Sequence, residues 1–176
     1  MKKPEEIFEI LKNKFPDADI QIDLETPTEP IISIPPKSVH NISLFLRDEE
    51  ELLFDSLMCL SGVDDANGEK IKQEDDSEII KGGTLSVYYH LYSVSLKHKI
   101  TIKTSADREN PEVESVEPIW KTADWHEREA YDMFGIIFLN HPNLKRILMP
   151  YDWDAGYPLR KDYKNPEFYK GMKVPY

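Results

Sequence analysis

The spacing of apolar side chains in the first third of the chain predicts three helices and two short strands. Helical spacing recurs over residues 4–15 and again after the two consecutive prolines at positions 35 and 36. Between them, residues 18–24 and 30–34 are short apolar stretches separated by prolines, which predicts two strands. A third helix is predicted over residues 48–62, with Asp48 as its N-cap. Its wide apolar face would comprise Leu52, Leu53, Phe54, Leu57, Met58 and Leu60.

The clearest strands are TLSVYYHLYSV and KHKITIKT, in which apolar and polar side chains alternate with a period of two. Residues 93–96 form a tight connection between them, so the two segments predict an antiparallel hairpin. Residues 64–83, which precede the hairpin, are acidic, contain glycines and are poor in large apolar groups. They predict a solvated loop or the tip of a hairpin.

A later helix is unusually dense in ionisable side chains. It is predicted to begin with Asp124 as its N-cap, to use Glu127 in a capping box, and to end at Gly135 in the left-handed conformation. Arg128 and Asp132 are four residues apart on this helix, so they are predicted to pair. Glu127 falls on the apolar side, where a carboxylate must be capping, paired or hydrogen-bonded.

Together these elements predict a compact α+β domain over residues 1–140, with the motif helix at about residues 124–134. The sheet is expected to be small, mixed or antiparallel, and covered by helices. Residues 141–176 show no sustained period but contain aromatic, basic, proline and glycine residues. Disordered tails are usually poor in aromatic residues, so we predict an extended C-terminal arm that becomes ordered on a partner. Its aromatic residues include Trp153, Tyr157, Phe168 and Tyr176.

Composition favours a globular protein and excludes several kinds of chemistry. The chain has 176 residues, 40% hydrophobic and 31% charged, and no apolar run approaches the roughly 18 residues of a membrane span. The N-terminus predicts a helix and no signal peptide, and hence a cytoplasmic or matrix-like location. The single cysteine, Cys59, can form no internal disulfide and cannot by itself ligate an iron–sulfur cluster, so a small buried hydrophobe is the preferred interpretation.

Charge is distributed unevenly along the chain. Residues 141–176 carry seven basic and four acidic side chains, a net charge of +3; the whole chain carries −11, so residues 1–140 carry −14. Such an acidic domain is a poor partner for nucleic acid. The change of sign indicates that the arm has a different role from the domain.

Three interpretations of the dense helix compete. A zinc helix of the HExxH type needs a second histidine where this chain has Ala130, so that match fails. An acid/base pair of Glu127 and Glu129 would diverge, because residues two apart point to different sides of a helix. The remaining interpretation is a polar network that fixes the helix against another segment. We therefore predict no catalytic, cofactor-binding or metal-binding residue.

Three stretches occur in a fixed order and spacing: EREAYDMFGIIF, HPNLKRIL and YPLRKDY. In this order they resemble the C-subunit family of the proton-pumping NADH–quinone oxidoreductase, respiratory complex I. The family also occurs in related ferredoxin-driven and hydrogenase complexes. The resemblance is most specific over residues 113–163, and Asn140 departs from it where glycine is common. The matching residues are Glu127, Arg128, Glu129, Asp132, Met133, Phe134, His141, Lys145, Ile147 and Leu148.

The resemblance implies a subunit of the peripheral arm of the complex that carries no cofactor of its own. FMN, iron–sulfur clusters and quinone would be bound by other subunits. The main partner would be the D subunit of complex I, which helps to form the quinone pocket and is called the quinone-pocket subunit below. The C-terminal extension would lie along that neighbour. The location implied is the cytoplasmic face of the inner (cell) membrane, with membrane contact only through the complex.

The function predicted is therefore that of a non-catalytic structural subunit supporting electron transfer from NADH to quinone. Two alternatives are an equivalent subunit of a ferredoxin-driven or hydrogenase-type relative, and a stand-alone carboxylate-dependent hydrolase. The structural motif is assigned to Glu127, Arg128, Glu129, Asp132, Gly135 and His141. The partner interface is assigned to Lys145, Arg146, Trp153, Tyr157, Pro158, Arg160 and Lys161.

Overall fold

The computed structural model describes residues 2–26, 29–72 and 78–173. Part of the acidic segment 64–83 and Tyr176, one of the aromatic residues of the predicted arm, lie outside these residues. None of the helices in the described residues is long and apolar enough to cross a membrane.

The described residues contain three α-helices, one short 3-10 helix and eleven strands. The α-helices are α1 (Pro4–Lys14), α2 (Val39–Asp48) and α3 (Ala123–Phe134), and the 3-10 helix is Pro36–Ser38. The strands of the first half are β1 (Gln21–Asp23), β2 (Ile31–Ser33), β3 (Ser56–Asp64), β4 (Glu69–Lys72) and β5 (Glu78–Lys81). Those of the second half are β6 (Thr84–Tyr92), β7 (Lys99–Asp107), β8 (Glu112–Glu114), β9 (Ile137–Leu139), β10 (Phe168–Tyr169) and β11 (Met172–Lys173).

The main sheet has five strands in the order β1-β2-β7-β6-β3. Only the β2–β7 pair is parallel, so the sheet is mixed and mostly antiparallel. The predicted hairpin is β6–β7, and its strands pair from Thr84 opposite Asp107 to Tyr92 opposite Lys99. Two-stranded sheets join β4 to β5, β8 to β9 and β10 to β11. The prediction of an α+β fold is confirmed.

Helices and sheet share one apolar core. Ile7 of α1 and Ile42 of α2 are fully buried together with Val87, Tyr89 and Leu91 of β6. These three β6 residues alternate along the strand, as the period-two pattern predicts, while the residues between them remain partly exposed. The core therefore lies against one face of the sheet and leaves the other face partly open.

The predicted third helix over residues 48–62 is wrong. Asp48 is the last residue of α2, residues 49–55 form a turn and irregular backbone, and the chain then enters strand β3 at the edge of the sheet. A β-bulge between Leu57 and Cys59 lets Leu57 and Leu60 both be buried, and this three-residue spacing imitates a helix. Gly62 does not end a helix either. A Cβ added there would lie 2.8 Å from the Phe134 ring, so the glycine allows α3 to pack on β3.

Candidate partner interface

Asp132, on α3, is buried and binds the first part of the predicted arm. Its Oδ2 accepts hydrogen bonds from the N–H groups of Ile147, Leu148 and Met149 at 2.9, 2.7 and 2.9 Å. Its Oδ1 accepts a hydrogen bond from Arg146 Nη1 at 2.7 Å. Burial opposes ionisation, but the three N–H donors and the guanidinium outweigh it and hold the pKa of Asp132 below its ordinary value. One carboxylate thus fixes four consecutive residues.

The predicted ion pair between Arg128 and Asp132 is wrong. Arg128 Nη2 instead pairs with Asp124 Oδ1 at 2.8 Å, one turn earlier, and its guanidinium lies 5.4 Å from the ring centre of Trp125. The i, i+4 rule allows either partner. The choice follows from the arm, because its main-chain N–H groups and Arg146 occupy both oxygens of Asp132.

Glu127 takes no part in the predicted capping box. Helix α3 begins at Ala123, and its N-cap makes no side-chain hydrogen bond. The buried Glu127 carboxylate instead accepts hydrogen bonds from Ser115 Oγ at 2.6 Å and Val116 N–H at 2.7 Å. Burial raises the pKa of Glu127 to about 7, aided by the nearby charges of Glu117 and Asp124. It is the hydrogen-bonded carboxylate expected on this side of the helix.

His141 holds the turn that leads into the arm. Its side chain is completely buried, and its Nδ1 accepts a hydrogen bond from Asn143 N–H at 3.0 Å. The ring proton therefore belongs on Nε2, which faces the carbonyl and the carboxylate of Asp124, each at 3.3 Å. Asn140, just before this turn, has φ +64°. Asparagine tolerates this left-handed conformation, so it can stand at a position where glycine would also fit.

A second cluster ties the later part of the arm to the sheet. Buried Arg108 pairs with Asp64 Oδ2 at 2.7 Å and with Asp162 Oδ1 at 2.5 Å. Asp162 also accepts a hydrogen bond from Ile80 N–H at 3.1 Å, and Asp64 accepts one from Lys161 N–H at 2.9 Å. Burial opposes ionisation of Asp64, but Arg108 and the main-chain donors outweigh it and lower its pKa.

Tyr157 closes the arm over the end of α3. Its ring lies against Gly135, whose φ of +77° ends the helix as predicted. The Arg160 guanidinium lies 4.6 Å from the ring centre of Tyr157, and Arg146 lies 5.5 Å from it. Arg160 Nε donates a hydrogen bond to the Phe134 carbonyl at 2.7 Å. Burial and the neighbouring Arg108 charge lower the pKa of Arg160.

We call six of these charged residues the arm anchor, because they bind the segment 146–162 to the domain. The arm anchor comprises Asp64, Arg108, Asp132, Arg146, Arg160 and Asp162. Sequence reasoning missed Asp64, Arg108 and Asp162, which lie on three segments far apart in the chain. Asp64 follows an apolar run, but Arg108 and Asp162 each stand next to another charged residue, and many surface residues share both settings.

The residues predicted for a partner interface divide into two groups. Arg146 and Arg160 belong to the arm anchor, and Tyr157 and Pro158 are half-buried. Lys145 and Lys161 are exposed, whereas half-buried Trp153 packs against Tyr169 with the two rings tilted and their centres 5.2 Å apart. Beside them, exposed apolar side chains add to the outer face of the arm, notably Leu148 at 60% and Tyr151 at 92% exposure. The outer face is therefore basic and partly apolar.

The buried polar side chains of α3 bind other segments of the same chain. Glu127 is completely buried and Glu129 is exposed, so these two carboxylates do not face a common site. In residues 2–26, 29–72 and 78–173, no group of three or more His, Cys, Asp or Glu side chains is placed to hold a metal ion. The contacts favour a structural role for this part of the molecule.

The fold resembles those of two solved structures. A trypsin-resistant fragment of Nqo5 aligns with a TM-score of 0.58 at 21% identity, covering 80% of this chain and 98% of the fragment. A chain in the membrane-bound sulfane sulfur reductase (MBS), an archaeal respiratory membrane complex, aligns with a TM-score of 0.55 at 19% identity. That match covers 93% of this chain and 86% of the other. The molecule is thus an α+β protein of the Nqo5 fold.

The particular family follows from sequence comparison. The chain belongs to the family described as "Respiratory-chain NADH dehydrogenase, 30 Kd subunit", whose model matches residues 32–169. The curated C subunit of an NADH-quinone oxidoreductase from Chlorobium phaeobacteroides is 42% identical over 96% of this chain and 93% of its own length. The corresponding protein from Chloroherpeton thalassium is 44% identical, and this chain spans 64% of its length. The predicted family is confirmed.

Proposed function

We propose that this protein is a non-catalytic structural subunit of a proton-pumping NADH:quinone oxidoreductase. In this proposal it lies in the peripheral arm at the cytoplasmic face of the membrane and docks on the quinone-pocket subunit. FMN and the iron–sulfur clusters that carry electrons from NADH, as well as the quinone, are bound by other subunits. This chain contributes a rigid surface that holds its neighbour in position.

The observation that carries the proposal is the two-sided construction of the arm. Its inner side contacts the domain, and four hydrogen-bond donors on this side bind Asp132. Its outer side keeps the exposed charges of Lys145 and Lys161 beside the exposed Leu148 and Tyr151. Aromatic anchors surrounded by charge are typical of protein interfaces. A segment held this firmly can present them with little loss of conformational entropy on binding.

Burial argues against the stand-alone hydrolase. A general base must reach the substrate proton, directly or through one water molecule. Glu127 has no exposed surface, and both its oxygens already accept hydrogen bonds from Ser115 and Val116. Its raised pKa therefore reflects a buried structural carboxylate, and the proposed function assigns it no chemical step.

The test is assembly of the whole complex around a charge-reversed arm. Lys145→Glu together with Lys161→Glu places two acids on the outer face while leaving the arm anchor intact. We expect the quinone-pocket subunit to be largely lost from the complex purified through a tag on this chain, and NADH:quinone activity of the membranes to fall with it. Recovery of a flavin-containing, NADH-binding subunit with the unaltered chain identifies the electron donor.

The matched control reverses two exposed lysines elsewhere, Lys12 on α1 and Lys97 in the β6–β7 connection. Both pairs of changes alter the net charge equally, so a general electrostatic effect would act on both variants. The unfolding midpoints of the two isolated variants should agree with each other. Full recovery of the quinone-pocket subunit with the Lys145/Lys161 variant contradicts the proposed docking.

A further inference from the structure

Strand β7 has an edge that, beyond residue 103, is hydrogen-bonded to none of the other described strands. On that side β2 pairs only with residues 101–103, while β7 continues to Asp107. Ile34 N–H donates the last hydrogen bond of this ladder, to the Lys103 carbonyl at 2.8 Å. Because main-chain groups alternate in direction along a strand, the N–H and carbonyl groups of Ser105 and Asp107 point to the same side as those of Lys103. Arg108 N–H, in the other set, bonds Gly83 beside β6.

The sequence itself ends the pairing. In a regular parallel ladder the next donor to the Ser105 carbonyl would come from position 36, which is proline. Pro35 and Pro36 instead turn the chain into the 3-10 helix. Within the described residues, no hydrogen bond reaches the Ser105 N–H, the Ser105 carbonyl or the Asp107 N–H. Exposed strand edges of this kind are templates for pairing with another chain.

A groove of about 570 Å³ runs along this open edge. Its walls include the apolar residues Pro36, Ala106 and Leu139. Acidic residues around it are Asp107, Glu112 and Glu114, against the single basic residue Lys37. An extended segment in the groove would therefore meet main-chain hydrogen-bonding groups, apolar contacts and a net negative charge.

We propose that the groove receives an extended, basic segment of another protein chain of the complex, which adds to β7 as a short strand. The main chain of the segment would pair with Ser105 and with the Asp107 N–H, because the Asp107 carbonyl already accepts a hydrogen bond from Asn110 N–H at 3.1 Å. Its lysine or arginine side chains would neutralise Asp107 and Glu112. Strand addition of this kind takes affinity from main-chain hydrogen bonds and specificity from side-chain contacts. This interface is separate from the arm, and it stands whichever subunit the arm contacts.

The measurement is hydrogen exchange at single amides, in the isolated full-length chain and in the assembled complex. In the isolated chain we expect Ser105 and Asp107 to exchange quickly, while Thr104 and Ala106, which point to β6, stay protected. In the complex, exchange at Ser105 and Asp107 should slow on the order of tenfold or more. Equal rates in the two samples would overturn the proposal. Protection in the isolated chain that rises with concentration would also overturn it, because the occupant would then be a second copy.

Two variants test the nature of the occupant. Asp107→Asn with Glu112→Gln removes two groove charges and should reduce the protection; Glu5→Gln with Glu9→Gln removes two exposed charges from α1 and should not. Unchanged protection in the groove variant would exclude a basic segment. Compared with Ser105→Ala, which loses only the hydrogen bond between the Ser105 and Ser86 hydroxyls, Ser105→Pro also removes a main-chain donor that has no partner within the described residues, a change tolerated at strand edges. It should release Asp107 from protection, and full protection there would mean that the groove is covered without strand pairing.

Discussion

The ring of Tyr157 rests directly on Gly135, so that a Cβ added to the glycine would lie 2.5 Å from the ring carbon Cζ. The same glycine has φ +77° and ends α3. Its positive φ therefore lets the helix end, and its lack of a side chain leaves room for the Tyr157 ring of the arm. Tyr157 in turn lies beneath the guanidinium of Arg160, whose Nε binds the Phe134 carbonyl. The end of the helix and the closure of the arm thus depend on one residue.

Replacing Gly135 with alanine should destabilise the protein by about 3 kcal/mol, as the sum of a conformational cost and a steric overlap. Gly82→Ala is the matched control: Gly82 has φ +66°, but an added Cβ meets no atom within 4 Å. This control should lose only about 1 kcal/mol. Urea unfolding of the two full-length variants measures both values. If the two substitutions cost the same, the contact with Tyr157 contributes nothing to stability.

Substituting asparagine for Asp132 should release the first part of the arm. Both carboxylate oxygens accept hydrogen bonds, whereas the amide has one oxygen and would turn its NH₂ group towards a donor. We expect a loss of about 2–4 kcal/mol in the free energy of unfolding. Trypsin should also cleave faster after Lys145 and Arg146. Asp154→Asn, at an exposed position, should change neither measurement; equal cleavage rates in the two variants would contradict the anchoring role of Asp132.

The buried carboxyl group of Glu127 should make stability fall as pH rises. Its pKa is about 7 in the folded protein against an ordinary value of 4.5. Below pH 4.5 the group is protonated in both states, so its contribution is fully present there. Between pH 4.5 and 7 the unfolded chain ionises first, and the contribution is lost. The shift corresponds to about 3 kcal/mol by pH 8.

Glu127→Gln tests this dependence, because the amide can still accept the Val116 N–H and donate to Ser115 Oγ. The free energy of unfolding of the variant should depend less on pH between pH 5 and 8. Its stability relative to the wild type should therefore increase as pH rises. Glu129→Gln, on the exposed side of α3, should keep the wild-type slope. Parallel profiles for wild type and Glu127→Gln would mean that another group sets the pH dependence.

Local sequence patterns predicted much of the fold. Alternation located β6 and β7 and sorted their side chains into two faces, one of which is buried, since a strand with one covered face must place every second side chain in the core. Helical spacing located α1 and α2, and Gly135 marked the end of α3. The same reasoning failed at β3, because the bulge beside Leu57 produced a helix-like spacing in an edge strand. A local pattern cannot distinguish these cases when pairing with β6 decides the outcome.

The sequence indicated the basic, aromatic character of the arm but not the contacts that bind it to the domain. Charge and composition separated a basic, aromatic arm from an acidic domain, and the ordered motifs identified the family. The sequence also placed Arg146 and Arg160 in the arm. It did not indicate that both would be bound to the domain, because their partners are Asp132 and the Phe134 carbonyl, brought near only by folding. Exposed Lys145 and Lys161 remain predicted contacts with a partner.

By itself, the sequence determined the features that depend on neighbouring residues: the alternating strands, the glycine at the end of α3, the prolines that stop β2, and the family motifs. Tertiary structure alone decided which charged groups meet. Arg108 bridges Asp64 and Asp162 across 44 and 54 residues of chain, and Asp132 takes the arm main chain in place of Arg128. The physical reason is that a buried charge must be satisfied by whichever donors the packed fold brings within reach, and sequence distance places no limit on that choice.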